Sequence, residues 1–225
     1  LIRQLEELLE SLVNLINIGI DEKSPYTGRH CQFVPELTMM LAEAVHNTET
    51  GPMADFRMTD ADRKELWLAG LLHDCGKITT PVHVVDKATK LETIGDRIHV
   101  VDTRFEVLLR DAEIAALKQK LAAGDDPARL VAIDAELARR QADLRDERDF
   151  IRFANIGAEA MSAEHQQRVR EIAARRWTGP DGAERDFLDA DEVTNLTIKF
   201  GTLTEAERKI INNHIVVTIR MLESL

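Results

Sequence analysis

Apolar residues in the first twenty positions recur at alternating spacings of three and four, at Leu5, Leu8, Leu12 and Leu15. That spacing predicts an amphipathic helix carrying a short heptad seam. The seam has two readings: a helix packed on its own domain, or a signalling helix that pairs with a second copy of the chain. Ser24 and Pro25 then read as a helix start, followed by an apolar stripe at Phe33, Val34, Leu37, Leu41 and Val45. Pro35 falls inside that stripe and is expected to kink or restart the helix, because it removes one backbone hydrogen bond. GPMADFRM reads as a loop. Thr59 reads as the cap of the next helix, which should end near Gly76 and Pro81.

Two long helical patterns follow. They are separated by GDDP, where Asp126 and Pro127 make a cap and first-turn pair. We expect an antiparallel hairpin over about residues 103–155, with Ile114, Leu117 and Leu121 facing Leu130, Ile133 and Leu137. Its other faces are heavily charged, so it should project from the core. A further helix should start at Ser162, and TGPDGAERDF suggests a small β-hairpin. Thr204 and Glu207 form a capping pattern for a last helix with Ile210, Ile211, His214, Val217, Thr218 and Met221 along one side. The fold class is therefore mainly α. Residues 1–20 read as an N-terminal linker or signalling helix, and residues 21–225 as one domain that carries the hairpin as an insertion.

Composition narrows the function classes. The formal net charge of −11 disfavours binding to DNA or RNA polymers, whose phosphates such a surface repels. A small anionic substrate remains compatible, since a metal ion reverses the field locally. Two cysteines, Cys31 and Cys75, make no disulfide framework and suit a reducing, cytoplasmic setting. No apolar run approaches the ~20 residues that span a bilayer. The sequence opens inside an amphipathic pattern without Met, as expected of a piece of a longer protein.

The strongest chemical signal is AGLLHDCGKITTP. His73 and Asp74 are adjacent near a helix end, about 100° apart around the axis, so they can flank one ion while the carboxylate reaches a second. Imidazole with carboxylate suits Fe, Mn, Zn or Co better than Ca. The pair follows the apolar run Leu68, Leu71 and Leu72, which argues for burial, and a buried Asp requires a partner. Lys77 adds a positive charge about one turn beyond Asp74.

HDCGKITTP resembles the HD-x-G-K-x-x-x-P signature of HD-GYP domains, members of the HD superfamily of metal-dependent phosphohydrolases. YTGRHCQFV is similar to their upstream T-x-x-H segment, and GTLTEAERKIINNHIVVTIRML to a downstream segment with a ligand histidine. The resemblance implies an all-helical HD-domain bundle that binds metal through His30, His73, Asp74 and His214. It implies divalent transition metals, Fe or Mn, with two ions in the complete domain. It also implies hydrolysis of cyclic di-GMP, or a related small phosphodiester, by two-metal activation of water. Asp74 and Lys77 would act in catalysis, Lys77 by meeting phosphoryl charge. Lys77 and Lys87 would meet substrate, and the N-terminal helix would form a homodimer.

The family's later H-H-E-x-x-D-G-x-G-Y-P block is not in the sequence, so weak or no activity is expected of this chain alone. Tyr26 stands where some members carry a Glu for a third metal. His99, in LETIGDRIHVVDTRF, competes with His214 for the ligand role. His83, His46 and His165 read as surface residues, and Cys75 as a small core residue. Two other readings stay open: a non-catalytic signalling or dimerisation module with a degenerate site, and an HD phosphohydrolase acting on another nucleotide or phosphate ester.

Overall fold

The computed structural model describes residues 2–23, 30–157 and 160–224, apart from the side chains of residues 2, 3, 5, 6, 9 and 30–32. The expected Ser24–Pro25 helix start and the side chain of His30 lie outside the described residues. The described chain is mainly α-helical. In order it forms α1 (Ile2–Asp21), α2 (His30–His46), α3 (Asp60–Leu72), a 3-10 turn (Cys75–Thr79), α4 (Val82–Val85), α5 (Ile98–Ala123) and α6 (Pro127–Asn155). There follow α7 (Ala163–Ala173), β1 (Arg176–Thr178), β2 (Glu184–Asp186), α8 (Ala190–Leu196) and α9 (Glu205–Leu222). The chain divides into two compact units, one from Leu1–Asp86 and Glu205–Leu225, the other from Lys87–Thr204.

In the first unit, Val13 and Ile20 of α1 pack with Leu72 and Cys75, joined by Ile16, Leu68, Leu71 and Met221. The heptad seam is not the buried face of α1. Leu8, Leu12 and Leu15 are exposed, Leu8 and Leu15 each by 65%. The helix thus docks through one apolar face and leaves the other to solvent. Asn17, on the docked face, is buried with neither polar atom of its amide hydrogen bonded. That sets a cost of about 1–3 kcal/mol against docking.

The helix α2 continues through Pro35 without the expected restart. Pro35 is the sixth residue of α2, so the helix loses one intrahelical bond there and continues. Its ring also has a seat: a Cβ built on Gly70 of α3 would lie 3.0 Å from Pro35 Cα, so a side chain there would push the two helices apart by a few tenths of an ångström. Thr59 caps α3 as expected, accepting from Asp62 N while the Asp62 carboxylate accepts from Thr59 N at 2.7 Å.

In the second unit, α5 and α6 run antiparallel. Asp126 caps α6 by accepting from Ala128 N and Arg129 N. Ion pairs link the arms, Arg152 to Asp102 at 3.0 Å near the base and Lys120 to Asp134 near the tip. The expected apolar seam is corrected on one arm. Leu130, Ile133 and Leu137 are half-buried, but Ile114, Leu117 and Leu121 of α5 are exposed, and Ala112 and Ala116 fill the contact instead. Small residues let the two helices close together, and the larger side chains are left outside.

The base of these helices belongs to a core that includes Leu91, Phe105, Leu144, Ile151, Val169, Phe187 and Leu196, with the rings of Phe105 and Phe187 4.5 Å apart. The antiparallel β1–β2 ribbon pairs Trp177 with Arg185. The short helix α8 was not anticipated. Seven residues carry no periodicity to read, although Asp189 and Glu192 form a capping box at its start. Lys90 is fully buried and donates to the carbonyls of Leu196 and Ile198, capping the end of α8. Burial holds its pKa below the ordinary lysine value.

Asn155 ties the segment after Lys87 to the end of α6. Its Oδ1 accepts from Leu91 N at 2.7 Å, and its Nδ2 donates to Asp96 at 2.9 Å. Asn155→Ala leaves a buried donor unpaired and is expected to cost about 2–3 kcal/mol. Urea unfolding followed by Trp177 fluorescence, with hydrogen exchange at the Leu91 amide, checks this.

Candidate metal centre

The apolar residues that fix α3 against α1 also fix where α3 ends. His73 is the last residue in helical conformation, and Asp74 turns out of the helix at φ −113° and ψ 9°. The chain then tightens into the 3-10 turn, which packs on α9 and on the end of α1. Lys23, just after α1, holds the turn by donating from Nζ to the carbonyls of Lys77 at 3.1 Å and Ile78 at 2.5 Å. On the other side the turn meets α9 at Gly76, where a Cβ would lie 2.0 Å from the His214 carbonyl oxygen and 2.7 Å from Thr218 N. No residue but glycine fits this contact.

The close approach brings His214 to Asp74. The carboxylate is buried and flanked by both imidazoles: His73 Nε2 lies 3.0 Å from Oδ2, and His214 Nε2 lies 3.3 Å from Oδ1. Lys77 Nζ also donates to Oδ2 at 2.7 Å. Burial works against ionisation of Asp74. The hydrogen bonds from His73 and Lys77 and their positive charge outweigh it, holding the carboxyl well below the usual carboxylate range. The same hydrogen bond to Asp74 raises the His73 pKa against the pull of burial.

Each imidazole is oriented in the same way. His73 Nδ1 bonds to the Gly70 carbonyl at 2.6 Å, and His214 Nδ1 bonds to the Ile211 carbonyl. A carbonyl can only accept, so Nδ1 carries the proton in both rings. Both Nε2 atoms point to Asp74, and an Nε2 that donates to the carboxylate carries a proton too, so it offers a lone pair only once that proton leaves. Pinning Nδ1 to a backbone carbonyl is how proteins present a histidine to a metal. Two imidazoles with a carboxylate suit a divalent transition metal. Among the described residues, no group of three or more His, Cys, Asp or Glu side chains is already spaced to hold an ion. Binding here therefore requires the Asp74 contacts to open, or a further donor to join them.

The structure brings three of the expected residues together, His73, Asp74 and His214, with Lys77 on the carboxylate. His30 begins α2, but its side chain is outside the described residues. His99 is exposed on α5 and His83 is exposed on α4. Lys87 belongs to the second unit, buried, with Nζ donating to Asn195 Oδ1 at 2.9 Å. Cys75 is a core residue whose thiol pKa is raised by burial. His46 is half-buried, accepting from Met58 N at 2.9 Å, and His165 stacks edge-on against Phe150 and Phe153. Sequence reasoning missed Lys23 and Thr218. The one available signal for Thr218 is a lone hydroxyl in the apolar run Ile215, Val216 and Val217, one turn after His214.

The HD domain family model matches residues 27–219, and the chain belongs to that family. Two relatives come from Vibrio cholerae serotype O1. The 3'3'-cGAMP-specific phosphodiesterase 1 is 33% identical over 103 residues, covering 44% of this chain and 21% of the relative. The 3'3'-cGAMP-specific phosphodiesterase 3 is 34% identical over 84 residues, covering 37% of this chain and 16% of the relative. The chain thus spans about a fifth or less of the length of these curated relatives. No solved structure matches. No helix among the described residues is long and apolar enough to cross a membrane.

Because the atoms facing Gly76 are backbone atoms of α9, they cannot move aside alone. Gly76→Ala is expected to destabilise the first unit by about 2–4 kcal/mol. Denaturant unfolding followed by Trp67 fluorescence measures it. Unchanged stability would show that α9 can shift freely against the turn.

Proposed function

We propose that the chain is the metal-binding core of an HD-GYP-type phosphodiesterase that opens a cyclic dinucleotide. The observation that carries this reading is the buried Asp74 carboxylate with an imidazole Nε2 on each oxygen, both rings pinned through Nδ1. The HD family membership and the names of the two Vibrio cholerae relatives support the reaction class. The HDCGKITTP resemblance supports cyclic di-GMP as substrate, whereas the relatives' names favour 3'3'-cGAMP. Both substrates present the same 3'–5' phosphodiester.

In this reading His73, Asp74 and His214 hold a divalent transition metal, Fe or Mn, with His30 as a fourth donor. The metal, when bound, supplies Lewis acidity toward water and the phosphoryl group. The chain's own part is to present both Nε2 atoms from rings pinned through Nδ1 and to keep Asp74 ionised in a buried place. Lys77 lies within reach of the same carboxylate and contributes positive charge where phosphate charge develops. Lys87 has no part in this reading, because its ammonium is buried against Asn195.

The chain incubated with Mn2+ or Fe2+ and each dinucleotide is expected to open the ring slowly, with the linear dinucleotide as first product on ion-exchange chromatography. EDTA and Asp74→Asn should each abolish turnover. A folded chain that takes up no Mn2+ or Fe2+ would overturn the enzymatic reading in favour of a signalling module.

The exposed seam of α1 supports pairing with a second copy of the chain. Leu8, Leu12 and Leu15 sit on one face at heptad spacing, while the opposite face is already engaged by the first unit. The double variant Leu12→Glu and Leu15→Glu is expected to turn a dimer into a monomer in sedimentation velocity, leaving Trp67-monitored stability within about 0.5 kcal/mol. A wild-type chain that sediments as a monomer at high micromolar concentration would exclude the pairing.

A further inference from the structure

We infer that Thr218 is a positioning residue of the metal centre, setting the register of α9 so that His214 meets Asp74. The inference rests on the reading of this site as a metal centre. Its starting point is a single hydrogen bond: Gly76 N, buried in the 3-10 turn, donates to Thr218 Oγ1 at 3.0 Å across 142 residues of sequence. Both residues are buried, Thr218 to within 6% of full burial.

The chain enters α9 from the second unit, so sequence neighbours do not fix the helix against the turn. Met221 adds an apolar contact to the α1–α3 cluster. Such contacts are non-directional and hold surfaces together without choosing a register. A helix that slips by one residue turns its side chains by about 100° and moves them about 1.5 Å along the axis. Either shift would carry the His214 imidazole off the Asp74 carboxylate. His214 and Thr218 are four apart and share one face of α9. Fixing the Thr218 hydroxyl to the Gly76 amide therefore fixes His214 as well. The same turn carries Asp74 two residues before Gly76, so both partners are referenced to one short piece of backbone.

The test uses Co2+ binding to the whole chain, read by calorimetry and by the visible absorption of the bound ion. Thr218→Val keeps the shape and loses the acceptor, while Thr218→Ser keeps the acceptor. Thr218→Val is expected to weaken Co2+ affinity about tenfold or more and to alter the cobalt spectrum, with Thr218→Ser close to wild type. A merely structural role would lower the thermal midpoint of Thr218→Val while leaving Co2+ affinity and spectrum unchanged, and that result overturns the inference. Hydrogen exchange on the wild-type chain needs no variant. The Gly76 amide is expected to exchange at least ~100-fold slower than a free peptide before any metal is added, and free-peptide exchange overturns the proposed pin. Failure of the underlying reading looks different: wild type binds no Co2+, or His214→Ala binds it as tightly as wild type.

Discussion

The site depends on one backbone contact, the face of the 3-10 turn at Gly76 pressed against α9. A side chain there would overlap the His214 carbonyl, so the absence of a Cβ sets the distance between two segments that are remote in sequence. Everything chemical follows from that distance. Asp74 sits two residues before the contact and His214 supplies one of its carbonyls, so the imidazole and the carboxylate meet because their backbones do. The apolar cluster of Val13, Ile20, Leu72 and Cys75 braces the turn from behind. Lys23 closes the turn's carbonyls from the α1 side.

The electrostatics are consistent with a place prepared for a cation. A buried carboxylate without partners would be protonated or expelled. Here the hydrogen bonds and positive charge of His73 and Lys77 keep Asp74 ionised. In the proposed centre a transition metal would compete for the same oxygens and for the Nε2 positions. The Nδ1 bonds to Gly70 and Ile211 would stay in place, because they are internal to α3 and α9. The rings are thus oriented before any ion arrives, which lowers the ordering cost of binding.

Much of this was legible in the sequence, and the failures have specific causes. The cap at Thr59, the Asp126–Pro127 break and the Ser162 start were readable because capping chemistry is local. His73, Asp74 and His214 were readable through motif order, a resemblance rather than a physical derivation. The hairpin seam was misassigned on α5 because periodicity favours the largest apolar residues, whereas closely packed antiparallel helices bury Ala112 and Ala116. The helix does not restart at Pro35, because a proline's effect depends on what its ring meets, and Gly70 is 35 residues away in sequence. Thr218 showed only as a lone hydroxyl in an apolar run, and Lys23 not at all, since an ammonium that bonds to distant backbone leaves no pattern.

The second unit bears on how the site can form at all. Lys87–Thr204 separates the HD pair from His214, and closing so long a flexible loop would carry an entropic cost that grows with its length. The unit reduces that cost through its own fold. It has an independent core around Phe105 and Phe187, and its two ends are joined where Thr202 Oγ1 donates to the Lys87 carbonyl at 2.9 Å. Once that unit is folded, the chain leaves it close to where it entered. The remaining search for α9 to find the 3-10 turn is that of a short connection. The extra residues between the ligands are then compatible with a centre whose geometry is set by two backbone segments in van der Waals contact.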